Sequence, residues 1–210
     1  MIAIILPTRG LVFTEVERAI EILRAFEDLA VYRSSTLEIP AAQNFLVKEA
    51  LLDHRAFTHL FFVEEDTVPP IGAIEDLLDL DTDIGFIDYG VNGWSCSAKD
   101  EHGEYLWCGL GCTLVKRKVF ERMEQPWFRG DYKLRLNDWK WIEADSNKVY
   151  GGHDIWFCLQ AKKLGFEIKR AEGECDHLRL IEFGRREINN GIHQVGKKLK
   201  IEKYQTIMRG

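Results

Sequence analysis

The stretch that decides the fold is His59–Pro70, which reads H-L-F-F-V-E-E-D-T-V-P-P. Four apolar residues, 60–63, lead directly into three consecutive carboxylates, 64–66. A continuous apolar run of this length, bounded by turn signals, predicts a strand buried on both faces of a parallel sheet. Pro69 and Pro70 stop its extension, because proline has no N–H to donate and its backbone angle is fixed. The carboxylates are therefore predicted at the carboxyl end of a central strand, where open α/β sheets bind their ligands.

The three acids, Glu64, Glu65 and Asp66, would repel one another and lose solvation at this position. A positively charged partner relieves both effects. A divalent cation that carries phosphates fits, because hard cations prefer carboxylate oxygens and keep coordination positions open for phosphate. The alternative is a solvated acidic turn, which is common after strands.

Length and composition limit the class of protein. The chain has 210 residues, of which 46% are hydrophobic and 30% charged, as in one ordinary globular domain that needs no disulfides. The net charge of −6 argues against stable binding to nucleic acid. No apolar run reaches the length of a membrane span and no signal peptide is present, so we expect a cytoplasmic protein. The five scattered cysteines predict buried free thiols.

The first ninety residues alternate between short apolar runs and helical patterns. Three further strands are predicted around the central one, at Ile2–Leu6, Ala30–Arg33 and Ile84–Asp88. Three helices are predicted between them, at about Glu15–Leu29, at about Ala41–Asp53 and around residues 74–78. This β-α-β-α-β-α-β order predicts an α/β fold with a doubly wound, largely parallel sheet.

The second half of the chain is less regular. Tyr105–Val115 predicts a strand interrupted by Gly109 and Gly111. These glycines mark either a β-bulge or a place where the backbone approaches a ligand closely. Pro126–Tyr150 is rich in aromatic and charged residues but has no clear period, which is typical of a functional or mobile segment.

The C-terminal part begins with a helix that follows G-G-H-D, residues 151–154, and ends at Gly165. A strand is predicted at Phe166–Arg170, with C-D-H-L, residues 175–178, just beyond it. The tail from about Arg185 is polar and basic, which predicts a solvated terminal helix or a partly ordered arm.

Several of these segments resemble, in the same order, segments of glycosyltransferases with the A-type fold, in particular the family 2-like members. F-F-V-E-E-D-T-V-P-P looks like their acidic "DxD" segment, and W-C-G-L-G-C-T-L-V-K-R-K-V-F-E resembles the strand and short helix that follow. G-G-H-D-I-W-F-C-L-Q-A-K-K-L-G-F-E-I is similar to their glycine, Glu-Asp, helix segment, and C-D-H-L matches a late metal-binding histidine. P-T-R-G and I-P-A-A-Q-N look like their early loops. Each segment alone is a weak signal, but their common order is fairly specific.

The resemblance implies a mostly parallel sheet flanked by helices, with a smaller mixed region on the acceptor side. Residues 1–184 would form one glycosyltransferase A-type domain. Within it, residues 1–90 would be the nucleotide-binding half and residues 91–184 the acceptor and catalytic half. Residues 185–210 would be a C-terminal tail.

The resemblance also implies roles for single residues. Asp66 and His177 would ligate Mn²⁺ or Mg²⁺, Glu64 would lie near the donor ribose, and Asp154 would be the general base. The remaining contacts to the nucleotide would come from loops at the ends of the strands: Thr8, Arg9, Asn44, Glu65, Gly109 and Gly111.

Each of these roles has a plainer alternative. Asp154 fits the N-cap of a helix, a frequent use of aspartate. Arg9 fits a surface loop, and His177 fits an ordinary loop histidine. Two positions depart from the family pattern: His153 stands where an acid is usual, and the acidic segment begins with Glu64 instead of aspartate.

The sequence thus predicts a metal-dependent, inverting glycosyltransferase. It would move a sugar from a nucleotide-sugar donor, UDP- or GDP-linked, to an acceptor with a free hydroxyl. Two alternatives stay open: a nucleotidyltransferase on a related sheet, and a non-catalytic protein that keeps the fold and binds nucleotides or sugars. The short P-T-R-G loop counts against the nucleotidyltransferase, which needs a richer basic loop for a triphosphate.

Overall fold

The computed structural model describes residues 1–26, 28–34, 38–91, 94–135, 140–143, 152–183 and 198–204. These residues form five helices, α1 to α5, which are Thr14–Phe26, Ile39–Leu52, Ala73–Asp79, Arg117–Arg122 and His153–Lys163. They also form thirteen strands, β1 to β13, which are Ile2–Pro7, Leu29–Ser34, His59–Val63, Thr67–Val68, Ile84–Val91, Trp94–Ser95, Ser97–Lys99, Tyr105–Cys108, Cys112–Lys116, Tyr132–Arg135, Lys140–Glu143, Ile168–Phe183 and Lys198–Tyr204.

The central sheet of the described residues has nine strands. Seven of them follow the order β13-β12-β5-β9-β3-β1-β2, while β4 pairs with β12 and β6 pairs with β5. Strand β1 is parallel to β2 and β3, and β5 is parallel to β12. Strand β9 lies between β3 and β5 and is antiparallel to both. The result is a mixed α/β fold with a mostly parallel central sheet, as the sequence predicts.

Helices cover both faces of this sheet, and two apolar clusters form the core. On one face, α1 and α3 pack through Val16, Ile20 and Leu77. These side chains meet alternate residues of β1 and β3, such as Ile4 and Phe61. The other residues of the same strands face the opposite way, because successive side chains of a strand alternate between its two sides.

On the second face, α2, α4 and α5 pack against the sheet. Phe62 of β3 lies there with Phe120 of α4, at a ring-centroid distance of 5.9 Å. Phe157 of α5 stacks on Phe120 at 5.3 Å. Helix α5, which carries Asp154, is therefore held on the sheet by a buried aromatic cluster, each large ring of which contributes about 2–3 kcal/mol on burial.

In the first half the predicted strands and helices are confirmed to within a few residues. The central strand is β3, and it carries its four apolar residues fully buried. Helix α2 begins at Ile39, and Pro40 occupies its first turn, where the missing N–H costs nothing.

The strand predicted at Tyr105–Val115 is interrupted at Gly109 and Gly111 as expected, but its two parts do not belong to one sheet. The segment forms two strands, β8 and β9, which belong to different sheets. Gly109 and Gly111 lie in the connection between them, so they do not form a bulge within one strand. Because Cys112 at the start of β9 pairs with Val63 at the end of β3, this connection lies at the carboxyl end of β3.

The predictions for the C-terminal part also need correction. Strand β12 does not end at Arg170 but continues to Phe183, with an irregularity between Arg170 and Glu174. Residues 198–204 are neither a solvated helix nor an arm, because they form β13 and pair antiparallel with β12. The predicted domain boundary at residue 184 and part of the predicted segment 126–150, namely residues 136–139 and 144–150, lie outside the described residues.

Candidate functional site

The carboxyl ends of the parallel strands meet at one edge of the sheet. Strand β1 ends there at Pro7, followed by Thr8 and Arg9, and β3 ends at Val63, followed by the three acids. Strand β5 carries Tyr89 near the same edge, since Tyr89 pairs with Cys175 of β12. The sequence therefore places the predicted loops correctly relative to the strands.

The acids do not simply extend β3, because the chain turns immediately after it. The N–H of Thr67 donates to the carbonyl of Glu64 at 3.3 Å, which closes a four-residue turn over 64–67. Thr67 then starts β4, where it pairs antiparallel with His177 of β12. The turn sends the neighbouring side chains of Glu65 and Glu64 to different partners.

Glu65 is buried and fully engaged by the loop after β1. Its two carboxylate oxygens accept from the backbone N–H of Arg9 at 2.7 Å and from Arg9 Nε at 2.6 Å. The carbonyl of Glu65 also accepts from the N–H of Phe13 at 3.0 Å. Arg9 is thus paired with a buried acid, contrary to a purely surface role. Its predicted contact with a donor, and that of Glu65, stay predictions.

Glu64 faces the other carboxylates. Burial raises the pKa of its carboxyl to about 8, and the charges of Asp66 and then Asp154 add to this shift. A hydrogen bond from Tyr89 and the charge of Arg9 offset it only partly. This environment differs from a solvated acidic turn, because a solvated glutamate keeps its ordinary pKa.

Asp66 lies beside His177, as the resemblance implies. His177 Nε2 is 3.6 Å from Asp66 Oδ2, and both side chains are largely buried. The N–H of Leu178 donates to the carbonyl of Asp66 at 2.7 Å, which fixes the two chain segments together. His177 lies within β12 and not in a loop, so the loop alternative is wrong.

A complete protein-built metal centre is not found among the described residues, in which no group of three or more His, Cys, Asp or Glu side chains could hold an ion. Asp66 and His177 together offer one carboxylate oxygen and one imidazole nitrogen. Both are ordinary ligands of divalent ions in open sites.

Asp154 lies in the first turn of α5, but it is not the N-cap. That position belongs to Gly152, and Asp154 Oδ1 accepts from the N–H of Ile155 at 2.8 Å. Its charge acts on Glu64, so α5 brings Asp154 to the acidic turn. His153 is beside it, and burial lowers the pKa of that imidazole below its usual value, although Asp154 opposes the shift.

Tyr89 is the residue of this edge that sequence reasoning missed. Its hydroxyl accepts from the N–H of Gly111 at 3.3 Å and lies 3.4 Å from Glu64 Oε2. Its ring stacks on the His177 imidazole at a centroid distance of 5.5 Å. The sequence gives no specific signal for it, because a tyrosine near the end of an apolar strand is ordinary.

The two glycines leave room for this tyrosine. A Cβ at Gly109 would lie 2.3 Å from Tyr89 Oη, and one at Gly111 would lie 2.6 Å from Thr67 Oγ1. Real Cβ atoms do not approach other atoms so closely, so the glycines are explained by close packing inside the protein. Their predicted contact with a ligand stays a prediction.

Thr8 and Asn44 also have internal partners. Thr8 Oγ1 donates to the carbonyl of Leu11 at 3.0 Å and accepts from the N–H of Gly10 at 2.9 Å. Asn44 Nδ2 donates to the carbonyls of Pro40 and Phe128, both at 2.8 Å. Asn44 therefore ties α2 to the segment after α4. For both residues, the role in nucleotide binding stays a prediction.

Solved structures with a similar fold include two that match over nearly the whole chain. The first, A197 from STIV, is 17% identical and has a TM-score of 0.60; the match covers 93% of this chain and 97% of that one. The second is the catalytic domain of Drosophila beta1,4galactosyltransferase 7 in complex with xylobiose. It is 15% identical with a TM-score of 0.51, and the match covers 92% of this chain and 76% of that domain.

A third neighbour is a glycosyltransferase involved in the glycosylation of the major capsid of PBCV-1. It is 14% identical over 60% of this chain and 69% of its own, but its TM-score of 0.37 is too low to support a shared fold. No protein-family model and no curated protein sequence matches the chain. The similarities show that the chain has a fold resembling that of a glycosyltransferase catalytic domain.

None of the helices formed by the described residues is both long enough and apolar enough to cross a lipid bilayer.

Proposed function

We propose that this protein is a metal-dependent, inverting glycosyltransferase that moves a sugar from a UDP- or GDP-linked donor to an acceptor hydroxyl. One observation carries the proposal: residues from three separate segments act together at the carboxyl edge of the sheet, since His177 Nε2 lies 3.6 Å from Asp66 Oδ2 and the charges of Asp66 and Asp154 act on Glu64. The fold shared with a galactosyltransferase catalytic domain supports the same reaction class.

The electrostatics of this edge favour a cationic partner. Burial, followed by the charges of Asp66 and Asp154, raises the pKa of Glu64 to about 8. Arg9, whose charge offsets this shift in part, is paired with Glu65. A divalent ion close to Glu64 would favour its ionised form.

The donor set fits such an ion. Asp66 Oδ2 and His177 Nε2 lie 3.6 Å apart, near enough for both atoms to contact one Mn²⁺ or Mg²⁺. Since the protein offers these two ligands, the donor diphosphate and water would complete the coordination. When bound, the ion would stabilise the negative charge that develops on the departing nucleoside diphosphate.

In the proposed transfer, Asp154 and Glu64 have separate roles. Asp154 accepts the proton of the acceptor hydroxyl as the oxygen attacks the anomeric carbon of the donor sugar. The bond to the nucleoside diphosphate breaks in the same displacement, so the configuration at that carbon inverts. Glu64 holds the donor ribose. Because Glu64 precedes Asp66 in the turn, the nucleoside would lie next to the diphosphate.

Thermal unfolding with a panel of nucleotides tests this proposal. The melting temperature is measured with UDP, GDP, dTDP and CMP, each with and without Mn²⁺. We expect UDP or GDP to raise it only when Mn²⁺ is present. A ligand at a hundred times its dissociation constant adds about 2.7 kcal/mol to the free energy of unfolding.

Two matched variants sharpen the result. Asp66→Asn should abolish the metal-dependent increase, whereas Asp76→Asn, an exposed acid on α3, should leave it unchanged. Stabilisation by nucleotides without any need for metal would favour the non-catalytic binding protein. No stabilisation by any nucleotide and metal pair would overturn the proposal.

A further inference from the structure

Tyr89 occupies a central position at the proposed site although it is neither a metal ligand nor a base. It lies near the end of β5 and is only 4% exposed. Its backbone N–H donates to Asp88 Oδ1 at 3.0 Å. Asp88 Oδ2 in turn accepts from the hydroxyl of Ser95 at 2.6 Å. Through Asp88, these two hydrogen bonds connect the backbone at Tyr89 in β5 to Ser95 in β6 and hold it in place.

The hydroxyl of Tyr89 connects two segments of the site. It accepts a hydrogen bond from the N–H of Gly111, so its own proton points elsewhere. Glu64 Oε2, at 3.4 Å, is the acceptor for that proton.

The ring of Tyr89 contacts a third segment. It stacks on the imidazole of His177 with an interplanar angle of 28°. The imidazole of His177 points its Nε2 towards Asp66 Oδ2. A flat surface beneath the imidazole limits its rotation, and ligand orientation of this kind affects metal affinity strongly.

We propose that Tyr89 is a positioning residue that sets both halves of the donor site, its hydroxyl orienting Glu64 and its ring orienting His177. Positions 109 and 111 are glycines because Tyr89 and Thr67 occupy the space that a Cβ would need there. This inference rests on the proposed function, since it concerns how the same site holds nucleotide and metal.

Two substitutions separate the two contacts. Tyr89→Phe removes the hydroxyl and keeps the ring, so Mn²⁺ affinity should stay within about threefold of the wild type. The affinity for the nucleoside diphosphate selected by the thermal panel should fall about five- to tenfold, because Glu64 loses its hydrogen bond. Tyr89→Leu removes the ring as well, so Mn²⁺ affinity should fall about 10- to 100-fold. Mn²⁺ alone is titrated by electron paramagnetic resonance, and the nucleotide by calorimetry.

Matched controls are available outside the site. Tyr32 also donates its hydroxyl to a carboxylate, Asp53 Oδ2 at 2.5 Å, so Tyr32→Phe should change neither affinity. Tyr105 packs edge-on against Phe86 at 5.0 Å, so Tyr105→Leu tests the loss of a packed ring.

A metal-free measurement completes the test. In the wild type, the ring current of Tyr89 should shift the proton resonances of the His177 imidazole. The shift should persist in Tyr89→Phe and disappear in Tyr89→Leu.

The possible failures are distinguishable. A wild type that binds neither Mn²⁺ nor any nucleotide overturns the proposed function and, with it, this inference. If the wild type binds both ligands, wild-type affinities in both Tyr89 variants overturn the positioning role alone. Equal losses of both affinities in the two variants, with a large drop in melting temperature, would also overturn it, because they indicate general loosening of the edge.

Discussion

Glu65 and Glu64 are neighbours in one turn, yet their surroundings are opposite. Glu65 accepts two hydrogen bonds from Arg9 and lies against the loop after β1. Glu64 is instead subject to the charges of Asp66 and Asp154, with Arg9 as a minor influence. We call the first pair, Arg9 and Glu65, the paired side, and the group of Glu64, Asp66 and Asp154 the acidic side.

The difference shows how one acidic stretch serves two purposes. The paired side satisfies its charges within the protein and holds the first loop against the sheet. The acidic side instead contains Glu64, whose pKa is raised by burial and by the charges of Asp66 and Asp154. Stable proteins rarely crowd acids without compensation, so such crowding is a common mark of a functional site.

The largest expected effect comes from the acidic side. Asp154→Asn should lower the rate of sugar transfer by about 10²- to 10⁴-fold, because the amide cannot accept the proton of the acceptor hydroxyl. Metal-dependent nucleotide binding should persist in this variant. The measurement compares initial rates of transfer, or of donor hydrolysis, with melting temperatures in Mn²⁺ and nucleotide.

Asp81 provides the control for that experiment. It is an exposed acid that pairs with Lys116, which lies opposite His59 at the start of β3, so Asp81→Asn should change the rate little. Transfer at the wild-type rate in Asp154→Asn would remove Asp154 from its role as the base.

The acidic side should also make the free energy of unfolding depend on pH. The pKa of Glu64 is about 8 in the folded protein, against an ordinary value of 4.5. The folded state therefore holds a proton that the unfolded state has released, and stability is lost as pH rises from about 4.5 to about 8. Glu64→Gln removes this loss, which is on the order of 2–4 kcal/mol at the upper end.

Urea denaturation between pH 5 and pH 8.5, with a chelator present, measures this effect. Glu64→Gln should be more stable than the wild type at pH 8 and nearly equal to it at pH 5. Glu65→Gln should instead be less stable at pH 7 by about 1 kcal/mol, because the buried pairing with Arg9 is weakened. If both glutamine variants shift stability in the same direction at pH 7 to 8, the contrast between the two sides is wrong.

Gly109 tests the packing that underlies the acidic side. In Gly109→Ala the new Cβ would meet Tyr89 Oη at 2.3 Å and Cζ at 2.7 Å, so the tyrosine must move. We expect a loss of about 1–3 kcal/mol in the free energy of unfolding, the usual cost of an overpacked core. Tyr89→Phe in the same chain should recover part of it, because the closest atom is gone. Additive losses in the double variant would show that Tyr89 does not cause the constraint.

Much of this arrangement could be predicted from local sequence pattern. The apolar run before Glu64 fixed the central strand, and the order of strands and helices placed the first loop and the acids at one edge. The partners of those acids were not predictable in the same way. A run of E-E-D does not indicate that Glu65 will accept hydrogen bonds from Arg9. Nor does it indicate that the charge of Asp154 will act on Glu64.

The second half was harder for a related reason. Y-L-W-C-G-L-G-C-T-L-V has the composition of one strand, but its glycines let the chain leave one sheet and enter another. His177 was expected beyond a strand, whereas β12 continues through it after an irregularity near Gly173. Tyr89 was missed because a tyrosine at a strand end is ordinary in sequence, and only the packing of Gly109 and Gly111 around it shows its place.

Arg9 offers the smallest effect and the finest test of the comparison. Its side chain is 62% exposed, so its ion pair with Glu65 contributes only about 0.5 kcal/mol to stability. Arg9→Gln should therefore change the free energy of unfolding little. The control is Arg117→Gln near the opposite edge of the sheet, which removes a pair with Glu121 and a hydrogen bond to the carbonyl of Leu51 and should cost more stability. If Arg9 also meets the donor phosphates, Arg9→Gln should weaken nucleotide binding about tenfold, whereas Arg117→Gln should not. Equal nucleotide affinity in the two variants would show that Arg9 acts only as the partner of Glu65 and does not contact the donor. The donor would then be bound by the acidic side alone.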